Sequence, residues 1–290
     1  AMTTPAKRLT SWGMENEIYR ALELAGCGIV ETDFRQEFAD LAHRLDRPAH
    51  LLLAVKANGI PPELIRQQSC PTVLWYPDDI FAAEHARPQL AYNGAAFDRV
   101  YTFDPCAIDE YRKLGIRDVR WLPLAASPAL HRRMYLPKVY DVSFVGNVYP
   151  NRRQLLERLR NRFNVLVTRA YTDEMVRIFN QSKITLNLGI GRTGIQLRVF
   201  EALACGCFLL TNEIPLQSRL FTDREHLVYF GDRDIEDLVA YYLDHEDERE
   251  EIAHNGYLEA HAKHTFAHRV DTILQDTLSP HAPPSSAPPD

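Results

Sequence analysis

Residues 183–211 read KITLNLGIGRTGIQLRVFEALACGCFLLT, and this stretch decides the fold class. Its opening apolar run predicts a strand over Ile184–Leu188, and its closing run a strand over Phe208–Thr211. Between them lie a glycine-rich turn, Gly189–Gly194, and a run with apolar residues at helical spacing, Gln196–Ala204. Strand, loop, helix and strand in so short a span make one unit of a parallel α/β sheet.

The alternation continues in both directions. Upstream, strands are expected at Asp141–Val145 and Val165–Thr168, with helices at Arg152–Arg162 and Asp173–Gln181. Downstream come a strand at His226–Phe230, a helix at Ile235–Leu243 and one long or broken helix over residues 246–278. The first half repeats the pattern. Strands are expected at Arg8–Trp12, Gly28–Thr32, His50–Val55, Thr72–Tyr76, Arg99–Phe103 and Val119–Leu122, with helices at Glu15–Ala25 and Phe34–Leu45. The segment Leu122–Tyr140 has Pro123, Pro128 and Pro137 and no clear periodicity, so it reads as a linker. The expected organisation is residues 1–135 as a first domain and 136–278 as a second, whose terminal helix is long enough to pack back on the first. Residues 279–290, SPHAPPSSAPPD, make a disordered tail. Two doubly wound parallel-sheet domains joined in this way imply a cleft, with ligands at the carboxyl ends of the strands.

Composition narrows the function classes. The 290 residues are 46% hydrophobic and 25% charged, with a net charge of -6, the values of an ordinary globular chain with no basic field for nucleic acid. No window is long and apolar enough for a transmembrane helix, and Ala1–Thr10 lacks the apolar core of a signal peptide. Five scattered cysteines read as reduced, mostly buried thiols of a cytoplasmic protein.

The chemistry sits in the second half. Three glycines in GIGRTG let backbone N–H groups approach an anion, and the helix N-terminus adds a favourable dipole. Arg192 in the loop and Arg198 in the first helical turn suit a diphosphate. Glu201, one turn further, can accept both hydroxyls of a ribose; the same spacing also makes an i, i+3 surface ion pair with Arg198. The loop spells G-x-G-x-x-G with Glu213 about 20 residues on, the dinucleotide fingerprint. Against that reading, two strand–helix units precede the loop, whereas the fingerprint belongs to the first turn of its domain.

The run Arg198-Val-Phe-Glu-Ala-Leu-Ala-Cys-Gly206 resembles the donor-site helix of GT-B glycosyltransferases. More closely, the second half resembles the CgeB-like (spore maturation protein) group. The matching pieces are Tyr140-Asp-Val-Ser-Phe-Val-Gly-Asn147, Arg152, Tyr171, Lys183-Ile-Thr-Leu-Asn187, Arg198-x-Phe-Glu201, and His264-Thr-Phe266 with Arg269. The first half matches through Thr72-Val-Leu-Trp-Tyr-Pro-Asp-Asp79 and Trp121-Leu-Pro-Leu-Ala125.

The resemblance implies two Rossmann-like domains facing across a cleft. It implies metal-independent transfer of a hexose from a nucleotide-diphosphate sugar, a UDP-sugar foremost, to an acceptor that is a protein, glycan, lipid or small molecule. No cofactor is implied. Glu201 would hold the ribose. Arg198, Arg192, Arg152 and the loop around Thr193 and Gly194 would hold the diphosphate, with Gly146, Asn147 and Asn187 beside it and Tyr171 on the base. Many retaining relatives carry a second Glu eight residues before the ribose-binding one; position 193 is Thr193, so that mechanism does not carry over. The acceptor base would come from the first domain, with Glu15, Glu17, Asp78, Asp79 and Asp104 as candidates. A nucleotide-sugar 2-epimerase and a non-catalytic nucleotide-sugar-binding protein are the alternatives.

Three further signals point elsewhere. Asp232-Arg-Asp234 spells D-x-D but precedes a helix and reads as its cap. Cys205 and Cys207 have no partner ligands for zinc. His254, His261, His264 and His268 read as one helix, a polar face rather than a metal site.

Overall fold

A computed structural model of the chain describes residues 13–32, 42–43, 45–56, 59–81, 86–189, 194–214, 216–231 and 234–278. These residues form two compact units. The first holds the described residues up to Pro123 and those from Phe266 onward; the second is Leu124–Thr265. The expected strand at Arg8–Trp12, most of the expected helix Phe34–Leu45 and the tail 279–290 lie outside the described residues.

In the first unit, α1 (Met14–Leu24) is followed by β1 (Leu52–Val55), α2 (Pro62–Arg66), β2 (Thr72–Tyr76), α3 (Ala86–Asn93), β3 (Arg99–Thr102), α4 (Ile108–Lys113) and β4 (Val119–Trp121). The strands form a wholly parallel sheet in the order β1-β2-β3-β4. Every residue of β1 and β2 is buried, as expected for strands covered on both faces. Ala54, Leu74 and Val100 from the sheet meet Leu90 of α3 and Tyr111 of α4 in one core. Gly28–Thr32, expected as a strand, makes only a single bridge residue at Glu31. Its β-branched residues follow the left-handed turn at Gly26 that ends α1, and Ile29, Val30 and Glu31 are only half-buried.

The last helix, α10 (Phe266–Leu278), packs along α1 in this same unit. Asp276 ties it to the sheet. Its Oδ2 accepts from Tyr101 Oη at 2.8 Å and from Arg120 Nη1 at 2.9 Å, and its backbone carbonyl accepts from Arg99 Nη1 at 2.7 Å. Tyr101 and Arg120 are register partners on β3 and β4, so one carboxylate caps two adjacent strands. Burial, and then the bond to Asp276, pushes the Tyr101 hydroxyl well above its ordinary pKa. At the other end of α10, the Phe266 ring lies 6.2 Å from that of Trp75, and buried Arg269 donates from Nε to the Pro123 carbonyl at 2.9 Å. Burial pulls the Arg269 guanidinium down to about 10.

The second unit holds β5 (Tyr140–Val145), α5 (Pro150–Arg160), β6 (Val165–Thr168), α6 (Thr172–Asn180), β7 (Ser182–Asn187), α7 (Leu197–Ala204), β8 (Leu209–Asn212), β9 (Val228–Phe230), α8 (Ile235–Asp244) and α9 (Glu246–Lys263). All strands are parallel, in the order β6-β5-β7-β8-β9. The chain runs from β5 out to β6, crosses back to β7 and continues the other way. The junction of β5 and β7 is therefore the topological switch point. Val142, Phe144, Ile184, Leu186 and Leu210 centre the core, with Leu156, Leu159 and Tyr242 from the helices.

The prolines of Leu122–Tyr140 suppress regular structure before β5, but the segment is anchored. Met134 N–H donates to Asn180 Oδ1 at 2.7 Å, and Ala126 N–H donates to the His264 carbonyl at 2.9 Å. The run 246–278 is a broken helix, and the break corrects the histidine reading. His264 lies between α9 and α10, held by the bridge between Ala126 and Thr265, so the four histidines do not share a helix. Its ring sits against Phe221 and Phe200, at 4.8 and 5.8 Å. Of the five cysteines only Cys205 and Cys207 are buried, fewer than expected. No helix among the described residues is long and apolar enough to cross a membrane.

Asp276→Ala should destabilise the first unit. It removes the acceptor of the Tyr101 hydroxyl and one of the two carboxylates that Arg120 meets, the other being Asp118, a loss of about 2–3 kcal/mol. The expected outcome is a lower midpoint for the first unit's unfolding, with hydrogen exchange of the β5–β9 sheet unchanged.

Candidate functional site

The motif loop leaves the sheet at the switch point. β7 ends at Asn187, and Leu188 and Gly189 follow. Residues 190–193, including Arg192 and Thr193, lie outside the described residues. The chain resumes at buried Gly194, and α7 starts at Leu197 after an extended Gln196. From Val199 to Ala204 every residue of α7 is buried. The helix ends at Gly206, whose φ of +70° is the left-handed geometry of a helix C-terminus, and a Cβ there would collide with Arg133. Burial raises the thiols on either side, Cys207 to about 11. No three His, Cys, Asp or Glu side chains cluster as metal ligands among the described residues.

Arg152 links the two loops at the switch point. Its Nη1 donates to the Asn147 carbonyl at 2.7 Å, and its Nη2 donates to the Leu188 carbonyl. The guanidinium lies over the rings of Phe144 and Tyr149, at 5.4 and 5.2 Å. Burial lowers its pKa, and the nearby charge of Arg198 lowers it further. From sequence this arginine reads as a diphosphate contact; in the structure both terminal nitrogens engage main chain. Gly146 closes the same corner, donating its N–H to the Thr168 carbonyl at 2.9 Å, and Asn147 is exposed.

A second set of polar side chains supports the β7 loop. Asn187 donates from Nδ2 to Thr211 Oγ1 at 2.9 Å and to Gln196 Oε1 at 3.2 Å. Asn212 Oδ1 accepts the Gly189 N–H. A Cβ on Gly189 would stand 2.9 Å from Asn212 Nδ2 and 3.1 Å from Ile214 Cδ1, so this close approach requires glycine. Asn187 therefore acts as a buried strut.

Arg198 and Glu201 do form a pair, with Nε 3.3 Å from Oε2. It is not a surface pair, because Glu201 is only 9% exposed. Arg198 lies over the Phe179 ring at 5.8 Å. The other carboxylate oxygen of Glu201 faces His131 Nε2 at 3.7 Å. Tyr171, at the start of α6, is 48% exposed, so its ring is open to a ligand.

In the first unit, Asp78, Asp79 and Asp104 follow the carboxyl ends of β2 and β3. All three carboxylates act electrostatically on the buried Tyr111 hydroxyl, whose pKa rises mainly through burial. Asp104 is buried and its Oδ1 accepts the Cys106 N–H at 3.0 Å; Asp79 Oδ1 accepts the Phe81 N–H at 2.7 Å. Asp78 is paired with Lys56 at 3.3 Å, and Lys56 holds a left-handed φ of 65° just after β1. Glu15 and Glu17 stand in the first turn of α1, with Glu17 paired to Arg20 at 3.2 Å. Asp232 lies outside the described residues; Asp234 Oδ1 accepts the Gly231 N–H at 2.8 Å, a turn contact.

The sequence reading gives His131, Gln196, Thr211 and Asn212 no role in the site. The strut residues leave a faint signal, polar groups closing apolar strands just before the loops. His131 leaves none, because its segment has no period.

Several known proteins share this architecture. The β-glucosyltransferase of phage T4 superposes with a TM-score of 0.63 at 13% identity, covering 95% of this chain and 96% of that one. Sucrose-phosphate synthase from Thermosynechococcus elongatus gives 0.62 at 12% identity, covering 91% and 92%. HepE of Anabaena, solved in complex with UDP, gives 0.59 at 11% identity, covering 89% and 88%. At such identities the likeness is one of fold, and the fold is GT-B. In sequence, the chain is 21% identical over 241 residues to spore protein CgeB of Bacillus subtilis (strain 168), covering 70% of this chain and 74% of that protein. Residues 126–275 match the family described as glycosyl transferase-like, just over half of the 290 residues. The chain belongs to that family, as the motifs around Glu201 imply, and is a glycosyltransferase.

Arg152→Lys keeps the charge but loses the fork, since one ammonium cannot reach both carbonyls as the guanidinium does. Stability should fall by about 1–3 kcal/mol. Amide exchange should quicken at residues 146–148 and 188–189, read by hydrogen–deuterium exchange, while the first unit stays as it was.

Proposed function

We propose that the chain moves a hexosyl group from a UDP-sugar to an acceptor hydroxyl. The observation that carries this is the Arg198–Glu201 pair, its carboxylate buried, in the first turns of α7 directly after the loop at the β5/β7 switch point. A carboxylate held there accepts hydrogen bonds from the two ribose hydroxyls. In this reading Arg198 and the N-terminal end of α7 take the diphosphate, with Arg192, Thr193 and Gly194 of the motif loop as further contacts expected from the sequence, and Tyr171 takes the base. Gly146 and Asn147 border the sugar, while Arg152 and Asn187 hold the loops in place. HepE, solved with UDP-glucose, and the T4 enzyme, solved with UDP-glucose, support a UDP-sugar as the donor.

In the transfer, the bond from the anomeric carbon to the β-phosphate oxygen breaks, and its electron pair leaves with UDP. A new bond forms from that carbon to the acceptor oxygen, whose proton passes to a base. The leaving diphosphate gains negative charge, and Arg198 with the loop N–H groups stabilises it as it develops. The base comes from the carboxylates of the first unit, with Glu15, Glu17, Asp78, Asp79 and Asp104 as its candidates. Five cysteines without a disulfide fit a cytoplasmic enzyme.

A thermal-shift panel of UDP, GDP, ADP, TDP, CMP and NAD on the wild type and Glu201→Ala tests the donor reading. A ligand at 100 times its Kd adds about 2.7 kcal/mol, a visible shift in Tm. UDP should stabilise the wild type and not the variant. Stabilisation by NAD alone, or a UDP shift that survives Glu201→Ala, would overturn the assignment. Among alanine variants of Glu15, Glu17, Asp78, Asp79 and Asp104, one should then lower kcat by about a hundredfold or more with UDP binding intact.

A further inference from the structure

The Glu201 carboxylate is met on both oxygens, by Arg198 Nε at Oε2 and by His131 Nε2 at Oε1. His131 belongs to the irregular segment before β5, yet its side chain is only 4% exposed. Its ring is oriented from behind. The Ser127 N–H donates to His131 Nδ1 at 3.1 Å, while the His131 N–H donates to the Ser127 carbonyl at 2.7 Å, a reciprocal closure of one short turn. A ring that accepts at Nδ1 is neutral and carries its hydrogen on Nε2. The donor end of the imidazole therefore faces the carboxylate. At 3.7 Å the contact is longer than a formed hydrogen bond and within ion-pair reach, a gap that catalytic contacts commonly close when ligand binds.

A carboxylate that takes two neighbouring hydroxyls must present both oxygens in one plane. Arg198 fixes one oxygen and leaves the carboxyl free to turn about its last torsion. A second donor at the other oxygen removes that freedom. We infer that His131 is a positioning residue for Glu201: it sets the plane of the carboxylate and thereby the preference for a nucleotide with both ribose hydroxyls. This rests on the reading that Glu201 receives the ribose.

The test compares Kd for UDP and 2′-deoxy-UDP, by calorimetry, in the wild type, Glu201→Gln, His131→Phe and His131→Gln. The wild type should prefer UDP, and Glu201→Gln should lose the preference. His131→Phe keeps the ring volume and should cut the preference by about tenfold, the size of one hydrogen bond to a charged group. His131→Gln places an N–H where Nε2 was and should restore most of it. A role confined to packing would weaken both nucleotides alike and leave their ratio unchanged. If His131→Phe does not fold, His131→Asn serves, since it keeps an acceptor for Ser127 and removes the donor; the same fall in the ratio is expected. A wild-type ratio in these His131 variants, with the ratio lost in Glu201→Gln, overturns the inference alone. A wild type with no preference for UDP overturns the reading of Glu201 and the inference with it.

Discussion

The reversal of winding direction between β5 and β7 is the constraint on which the second unit's site depends. Two adjacent parallel strands end side by side, and the chain leaves them in opposite directions. The loops that follow each have carbonyls turned to the gap, with no ladder partner. Such groups are costly to bury unpaired. Arg152 resolves this by reaching from the first turns of α5 to a carbonyl of each loop, Asn147 and Leu188. Desolvating a guanidinium is itself unfavourable, which is why its pKa falls, but two carbonyl bonds and two aromatic faces offset much of that cost. Once the two loops are held, the Asn187–Thr211–Gln196 and Asn212–Gly189 contacts fix where α7 begins, and that places Glu201.

The charges around this point have a consistent logic. The charge of Arg198 disfavours that of Arg152, so two cationic groups share the region beside the loops. A lone buried carboxylate in such a place would weaken attraction for an anion. Glu201 does not stand alone, because Arg198 holds one of its oxygens and His131 faces the other. What remains is the positive end of α7, which favours an anion.

Most of the fold was legible because parallel strands buried on both faces are written as unbroken apolar runs. Thr72–Tyr76, buried throughout, was readable to the residue, and so was the half-buried edge strand Val165–Thr168. The site was legible in part. Arg198 and Glu201 stood out because their spacing on a helix fixes their mutual geometry, independent of anything distant. Arg152 could be found but not assigned: an arginine one turn into a helix after a strand looks the same whether it reaches outward to phosphate or backward to carbonyls. That choice depends on β7, 30 residues away in sequence. His131 was beyond reach for the same reason, since what gives it meaning is a carboxylate brought near by tertiary folding. Gly28–Thr32 failed in the opposite sense, with local β-propensity but only a single bridge residue, at Glu31. The histidine run failed because Thr265 bridges Ala126, a contact that overrides the helical pattern on either side.

The stretch shared with the glycosyl transferase-like family, 126–275, is not the same object as the second unit. It begins within two residues of that unit's start and runs on into α10, which packs on α1 in the first unit. The family pattern therefore describes the β5–β9 sheet together with a helix that belongs structurally to the other unit, and it leaves out all of β1–β4. The held Glu201 carboxylate and the arginines at the switch point lie inside the shared stretch. The carboxylates at the ends of β2 and β3, and the left-handed Lys56 beside Asp78, lie outside it. The sheet of that first unit is itself tied to α10 by Asp276, one residue past the end of the shared stretch.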